Sequence, residues 1–470
     1  MSNGLTRGRN LAERAAGVLS HFVSVTPARF AIALFIGMIA LFTFLLSLPV
    51  MSADGTITGL ADSLFTATST ICVTGLATVD MATHWSVLGQ VVIVIGTQLG
   101  AVGVLTMASV MGLIVSRRLS LRQRLLVAGD VNPMAMRRGS SSSGLAEVGG
   151  LLLTVAVSMI VIELAIAILL YPSILLKGVD PVIAAGDAIA FSTSAFTNTG
   201  FVLPNVGFDP FVDDIWFLSW MMVAVFLGAI GFPVIYALSH NLRRPHRWSV
   251  HVKLTLVAMV FLMFAGALAY MVLEWGNADS YGDQPLPEIA FESLFLSVMT
   301  RSGGFSTFDL SHLRESSLLV TDMLMFVGGG SASTAGGIKV TTLAVLFIAA
   351  FAEARGNASM GVFERKIPGD VLRLAVSVVL WGATTVAVAS IILLQLSDAG
   401  LDFVLFDVIS AFATVGLSTG FTATLDDPGK YVMSATMFMG RIGTVTLAAA
   451  LAASQRQQLF NRAEERPIVG

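Results

Sequence analysis

Four short stretches of the chain carry residue types that could replace the water around a small ion. They read S-T-I-C-V-T-G-L at 69–76, S-A-F-T-N-T-G-F at 194–201, V-M-T-R-S-G-G-F at 298–305 and S-A-F-A-T-V-G-L at 410–417. Aligned on Gly75, Gly200, Gly304 and Gly416, three have Ser six positions before the glycine, and all four have Leu or Phe directly after it. A bare cation enters hydrocarbon only where oxygens replace its water shell, and rings of backbone carbonyls do this without a fixed charge that would trap the ion. Carbonyls converge on an axis only where the backbone leaves helical geometry, which glycine permits. The chemistry expected is dehydration of a monovalent, potassium-like cation by the carbonyls of Val73, Thr74, Gly75, Asn198, Thr199, Gly200, Ser302, Gly303, Gly304, Thr414, Val415 and Gly416. One such glycine would be read as a helix-packing residue. Four in register, in matching Ser/Thr-rich surroundings, point to the pore.

These loops need elements that hold them at membrane depth. Of the 470 residues, 55% are hydrophobic and 12% charged, about half the charge of a soluble domain. Apolar runs recur at about 30–50, 86–116, 149–171, 213–239, 251–274, 316–353, 371–396 and 431–453, giving eight spanning candidates. A polar stretch too short to span lies between the members of each pair. The repeated unit is therefore helix, short pore helix, loop, helix, used four times. The fold class expected is an all-α polytopic membrane protein with four M1–pore helix–M2 repeats, pseudo-fourfold about a central pore, with eight spanning helices and four re-entrant loops. The repeats fall at 30–120, 145–242, 250–355 and 368–455, between an N-terminus at 1–29 and a tail at 456–470. Asp62, Asp187 and Glu292, 13, 13 and 12 residues before their glycines, are expected to cap the short helices, where an acid complements the helix dipole.

Charge sets the topology. Of 27 Lys and Arg, 21 fall in the N-terminus, 117–138, 243–253, 355–373 and the C-terminus. All five segments share one side if each apolar pair crosses out and back, and the positive-inside rule makes that side cytoplasmic. Both termini are then inside, and the first apolar run reads as a retained helix, since no A-x-A-like site follows it. One cysteine, Cys72, and six histidines without metal-ligand spacing argue against a disulfide scaffold or a metalloenzyme.

The sixth run is interrupted by Gly328, Gly329, Gly330, Ser331, Ala332, Ser333, Thr334, Ala335, Gly336 and Gly337. Each glycine costs a helix about 1 kcal/mol against alanine, so this stretch must lie in protein or water. It is expected to gate the pore, with Lys339 and Arg441 holding it or setting a positive barrier below the filter. The plain alternatives are a passive helix break and, for Lys339, an interfacial lysine that snorkels. Arg301, at membrane depth, is expected to pair with an acid behind the filter, because a cation facing the ion would repel it. Gly329-Gly330-Ser331 suggests an intramembrane serine protease only distantly, since no histidine lies well inside a predicted span to act as its base. A P-loop is excluded by the missing Gly-Lys-Ser/Thr. A less selective or sodium-conducting pore on the same fold is the nearer rival.

The motifs T-S-T-I-C-V-T-G-L (68–76), S-A-F-T-N-T-G-F (194–201), T-R-S-G-G-F-S-T (300–307), S-A-F-A-T-V-G-L-S-T-G (410–420), G-G-S-A-S-T-A-G-G-I-K (329–339) and G-R-I-G (440–443) together resemble the Trk/Ktr/HKT superfamily of potassium transporters, most of all its Ktr membrane subunits. The resemblance covers nearly the whole chain. It implies potassium uptake across a bacterial inner membrane by a homodimer in the lipid bilayer, each subunit with its own pore. It also implies a cytosolic KtrA-like ring of RCK-type nucleotide-binding domains as partner, and activation by sodium. Potassium is then substrate. No organic cofactor, nucleic acid or enzymatic activity is expected. Gly303 stands where many relatives have Ala, and Thr444 where many have Pro.

Overall fold

The computed structural model describes residues 27–117, 144–282, 284–357 and 359–443. Residues 1–26 of the expected cytoplasmic N-terminus, the basic residues at 118–138, Thr444, the rest of the eighth apolar run and the tail at 456–470 lie outside the described residues. The described chain is predominantly helical. The long described helices are α1 (Pro27–Leu46), α3 (Val87–Arg117), α4 (Gly144–Leu176), α8 (Val250–Leu273) and α12 (Gly369–Leu396); α6 (Ile215–Ile230) is shorter, with 16 residues. Short helices are α2 (Leu60–Cys72), α5 (Pro181–Phe196), α7 (Phe232–Asn241), α9 (Leu286–Met299), α10 (Glu315–Phe326), α11 (Val340–Ala354), α13 (Leu401–Ala413) and α14 (Asp427–Phe438), the last continued by a π-helical turn at Met439–Gly443. A small hairpin, β1 (Gly361–Val362) and β2 (Arg365–Lys366), links α11 to α12.

The long helices turn apolar side chains outward. Val257, Phe261, Phe264 and Leu268 are exposed along one face of α8, a stripe at helical spacing that water would not tolerate and lipid would. The helices α2, α5, α9 and α13 do the opposite. Their C-terminal halves are buried, Ser192–Phe196 and Phe295–Met299 among them.

Eight spans were expected. Three described helices are long and apolar enough to cross a membrane, Leu153–Leu176, Val250–Leu273 and Gly369–Leu396, and a fourth counts if α6 and α7 form one span. The run at 213–239 is not continuous, because α6 and α7 meet at 102°. The bend falls at Gly231, which has φ 88° and precedes Pro233 in the first turn of α7.

The acids divide. Asp62 lies in the first turn of α2 and pairs with Lys430 at 2.8 Å. Asp187 and Glu292 lie in the middle of helices that begin earlier than expected, at Pro181 and Leu286, where proline presets the first turn. Asp180 is the cap of α5, accepting from Val182 N at 2.9 Å.

A repeated close approach seats the short helices. A Cβ on Gly100, Gly228 or Gly440 would overlap the backbone oxygen of Ile71, Phe196 or Phe412, respectively. Each of these oxygens belongs to the residue four before an aligned glycine. Three later helices therefore touch three short helices at the same register, and only glycine admits the contact.

Candidate functional site

Every aligned loop has the same backbone signature. The residue two before the glycine and the glycine itself have positive φ: Val73 57° and Gly75 93°, Asn198 62° and Gly200 81°, Ser302 75° and Gly304 75°, Thr414 48° and Gly416 95°. The residue between them, Thr74, Thr199, Gly303 or Val415, does not. In an extended strand successive carbonyls point to opposite sides; alternating the sign of φ turns them to one side. Val73 and Thr414 are β-branched, so the left-handed conformation there is strained and persists because the surroundings impose it.

Amide donors are satisfied from behind. Thr74 N donates to Ser69 O at 2.7 Å, Thr199 N to Ser194 O at 2.9 Å, Gly303 N to Met299 O at 2.7 Å and Val415 N to Ser410 O at 2.9 Å. With these N–H groups turned into the short helices, the carbonyls are left facing away from them. The aligned serines take separate tasks. Ser69 Oγ accepts from Gly75 N at 3.0 Å, and Ser194 Oγ donates to Phe201 O at 2.8 Å. The third loop has Val298 at this place, and Gly304 N reaches Met299 O at 3.4 Å instead.

The four glycines, 125, 104 and 112 residues apart in the chain, meet. A Cβ on Gly75 would overlap Thr199 O and lie 3.3 Å from Gly416 Cα; one on Gly200 would lie 2.6 Å from Gly304 Cα; one on Gly416 would lie 2.6 Å from Thr74 O and 3.0 Å from Thr199 O. All four loops thus face a common space that any side chain at these positions would fill.

Directly against this space packs the loop 328–337, between α10 and α11, mostly buried. Its ends are tied by Gly328 N to Ile338 O at 2.9 Å and Val340 N to Gly329 O at 3.1 Å. One side fits the break in the fourth run, with Gly330 N donating to Ala229 O at 2.8 Å and Phe232 N to Ala332 O at 3.2 Å. The other side reaches the glycine loops. Thr334 Oγ1 donates to Asn198 Oδ1 at 2.7 Å, Gly336 N donates to Ser302 Oγ at 3.3 Å, and Ser302 Oγ donates to the Thr414 carbonyl. Two cations hold consecutive carbonyls of the loop. Arg441 Nη1 donates to Thr334 O at 2.5 Å and Lys339 Nζ to Ala335 O at 2.5 Å. Arg441 lies in the π-helical turn, a distortion frequent at functional sites.

Arg301 departs from expectation. Its buried guanidinium reaches Met259 Sδ at 3.6 Å, and among the described residues no acid pairs with it. Asp407, which sequence reading passed over, does more. Buried in α13, its carboxylate accepts from Ser418 Oγ at 2.6 Å, Thr419 N at 2.9 Å, Thr422 N at 2.8 Å and Thr422 Oγ1 at 2.6 Å. It ties the chain just after Gly416 back to the short helix before it. The available signal was an acid inside an apolar helix followed by S-T-G-F-T.

Residues 32–462 match the family model TrkH, a cation transport protein. The chain is 33% identical to the Ktr system potassium uptake protein B of Vibrio alginolyticus, over 89% of this chain and 90% of that protein. It is 33% identical to the Ktr system potassium uptake protein D of Bacillus subtilis, over 95% and 98%. The potassium/sodium uptake protein NtpJ of Enterococcus hirae is 28% identical, over 91% and 93%. In fold, the crystal structure of the potassium transporter TrkH from Vibrio parahaemolyticus matches with a TM-score of 0.68 and 18% identity, covering 89% of this chain and 83% of that one.

Proposed function

Given that the chain belongs to the TrkH family of cation transport proteins, which are transporters and not enzymes, we propose that it takes up potassium through the space where Gly75, Gly200, Gly304 and Gly416 meet. The observation that carries this reading is that convergence, with two positive φ angles in each of four loops. Carbonyls of Val73, Thr74 and Gly75 and of their counterparts in the other three loops then replace the ion's water. Each repeat, 30–120, 145–242, 250–355 and 368–455, supplies one wall and two of eight spanning segments. The loop 328–337 is the gate: it lies against the inner ends of the loops, with Lys339 and Arg441 fixing it and placing positive charge below them. The protein works as a homodimer in a bacterial inner membrane with both termini cytoplasmic. A cytosolic nucleotide-binding ring moves the gate, an assignment supported by relatives named as parts of Ktr uptake systems.

The test is cation uptake by the purified chain in liposomes, with rubidium, sodium and lithium as competitors, repeated with Gly304→Ser. Potassium and rubidium uptake whose selectivity is lost in the variant supports the filter. Uptake equal for all ions and indifferent to the substitution sinks it. Sodium conduction is the second reading, favoured by one relative named for both ions; sodium outcompeting rubidium in the wild type would select it.

A further inference from the structure

Two acids lie together behind the fourth glycine loop, in unequal surroundings. The helices α10 and α13 both end against the loop 328–337: Phe326 closes α10, and a Cβ on Gly337 would lie 3.2 Å from the Cβ of Ala413, the last residue of α13. They therefore run the same way, and Phe326 stacks on Phe412 with ring centroids 6.1 Å apart. Asp322 lies four residues before Phe326 and Asp407 five before Phe412, so both carboxyls sit about one turn back from the stack. Asp322 is 6% exposed and Asp407 fully buried, and the Asp407 carboxylate acts electrostatically on Asp322.

Asp407 accepts from Ser418, Thr419 and Thr422. Asp322 has no such support. Its Oδ1 has no hydrogen-bond partner, and no Lys or Arg pairs with it, among the described residues. The groups on the neighbouring elements are engaged elsewhere. Tyr270 of α8 bonds to Thr321 at 2.7 Å. Glu274, at the outer end of α8, accepts from Asn277, Ser280 and the Arg314 backbone. The Arg301 guanidinium is turned to Met259 Sδ.

We propose that Asp322 is held as an uncharged carboxylic acid and in that form is a positioning residue for the fourth glycine loop, acting through Asp407. A buried carboxyl without a partner takes up a proton rather than remain charged. Two carboxyls sharing a dry site do not both ionise, and the one supplied with donors keeps the charge. That one is Asp407. A proton needs no cavity, since it rides on an oxygen already present. With Asp322 neutral, Asp407 is the single charge between α10 and α13 and keeps its hold on the chain after Gly416. An ionised Asp322 would repel it and part the two helices. The proton is resident and does not travel with the ion. The positioning role rests on the pore reading; the protonation does not.

The experiment uses the purified full-length chain in detergent. The infrared difference between wild type and Asp322→Asn at neutral pH, in which other acids cancel, is expected to contain the carbonyl band of one protonated carboxylic acid, moving in heavy water. The bands of an ionised carboxylate in its place overturn the proposal. If the asparagine variant does not fold, Asp322→Ser supplies the reference. Thermal melting in potassium against choline gives the second arm. As the pH is raised, loss of the band in the wild type is expected to bring loss of the stabilisation by potassium, which Asp322→Asn retains at the same pH. A wild type that keeps this stabilisation after losing the band, or an asparagine variant that loses it at the same pH, overturns the positioning role. A wild type that shows the band at neutral pH but is not stabilised by potassium there counts against the pore reading and leaves the proton in place.

Discussion

The backbone N–H of Gly336 donates to the hydroxyl of Ser302 across 3.3 Å, and that hydroxyl donates in turn to the Thr414 carbonyl. One serine thus joins the loop 328–337, the third glycine loop and the fourth. Its hydroxyl also occupies a carbonyl otherwise available to an ion. The position of the loop 328–337 and the shape of the third and fourth glycine loops are therefore linked through this side chain.

Replacing Ser302 by Ala removes both bonds and frees the Thr414 carbonyl. Uptake is expected to rise and sodium discrimination to fall, while Ser302→Thr, which keeps the hydroxyl, retains both. Rubidium uptake against a sodium competitor checks this. An alanine variant with wild-type ion preference would assign Ser302 to the gate only.

Gly336 admits no side chain. A Cβ there would overlap Thr414 Oγ1 and lie 2.5 Å from Ala413 O. Gly336→Ala must push the loop off Thr414 and Ala413, and overpacking of this kind costs about 1–3 kcal/mol. If the loop is the gate, that cost falls on the closed state alone. Potassium leak through the chain without its partner is then expected to increase by about 5- to 150-fold. Liposome flux measures it, and an unchanged leak with intact folding would show that the loop does not obstruct the pore.

Arg441 and Lys339 hold adjacent carbonyls, Thr334 O and Ala335 O, each at 2.5 Å. A hydrogen bond to a charged group contributes about 1.5–3 kcal/mol. Arg441→Gln and Lys339→Gln are each expected to raise basal flux by one to two orders of magnitude. The double variant is expected to fall short of the product, because both cations fix the same short segment. Independent, multiplying effects would mean that only one of them acts through the loop.

Much of this arrangement was legible in the sequence, for physical reasons that also set its limit. The glycines announced themselves because only glycine tolerates both a positive φ and a neighbour's backbone at van der Waals distance, and such positions leave a fixed mark in the residue pattern. The break at 328–337 was legible for the same reason: five glycines in ten residues cannot continue a helix. The bend at Gly231 was not, because a lone glycine in an apolar run is usually a packing residue, and only the intruding loop shows why the chain turns there. Asp187 and Glu292 misled because charge suggested helix starts that proline sets instead. Arg301 lacks its expected acid because sequence spacing says nothing about which helix lies across from a side chain. Asp407 was hidden by the same limitation, since its partners are 11–15 residues away.

Asp407 gives the last prediction. Its carboxylate receives donors from Ser418, Thr419 and Thr422, all in the segment that follows the fourth glycine loop. Asparagine has nearly the same shape but turns an NH2 group toward some of those donors. At least one charge-assisted bond is lost and a buried N–H is stranded, costing about 2–4 kcal/mol. The loss falls on the segment that anchors Val415 and Gly416, so stability and selectivity should decline together. Asp407→Asn is expected to melt earlier and to lose the stabilisation that potassium gives the wild type. Asp62→Asn, which loses an ion pair to Lys430 at 2.8 Å with both side chains partly exposed, serves as the comparison. It is expected to cost about 1 kcal/mol or less and to leave potassium stabilisation in place. If the two variants behave alike, Asp407 is an ordinary packing residue, and the fourth loop holds its shape without it.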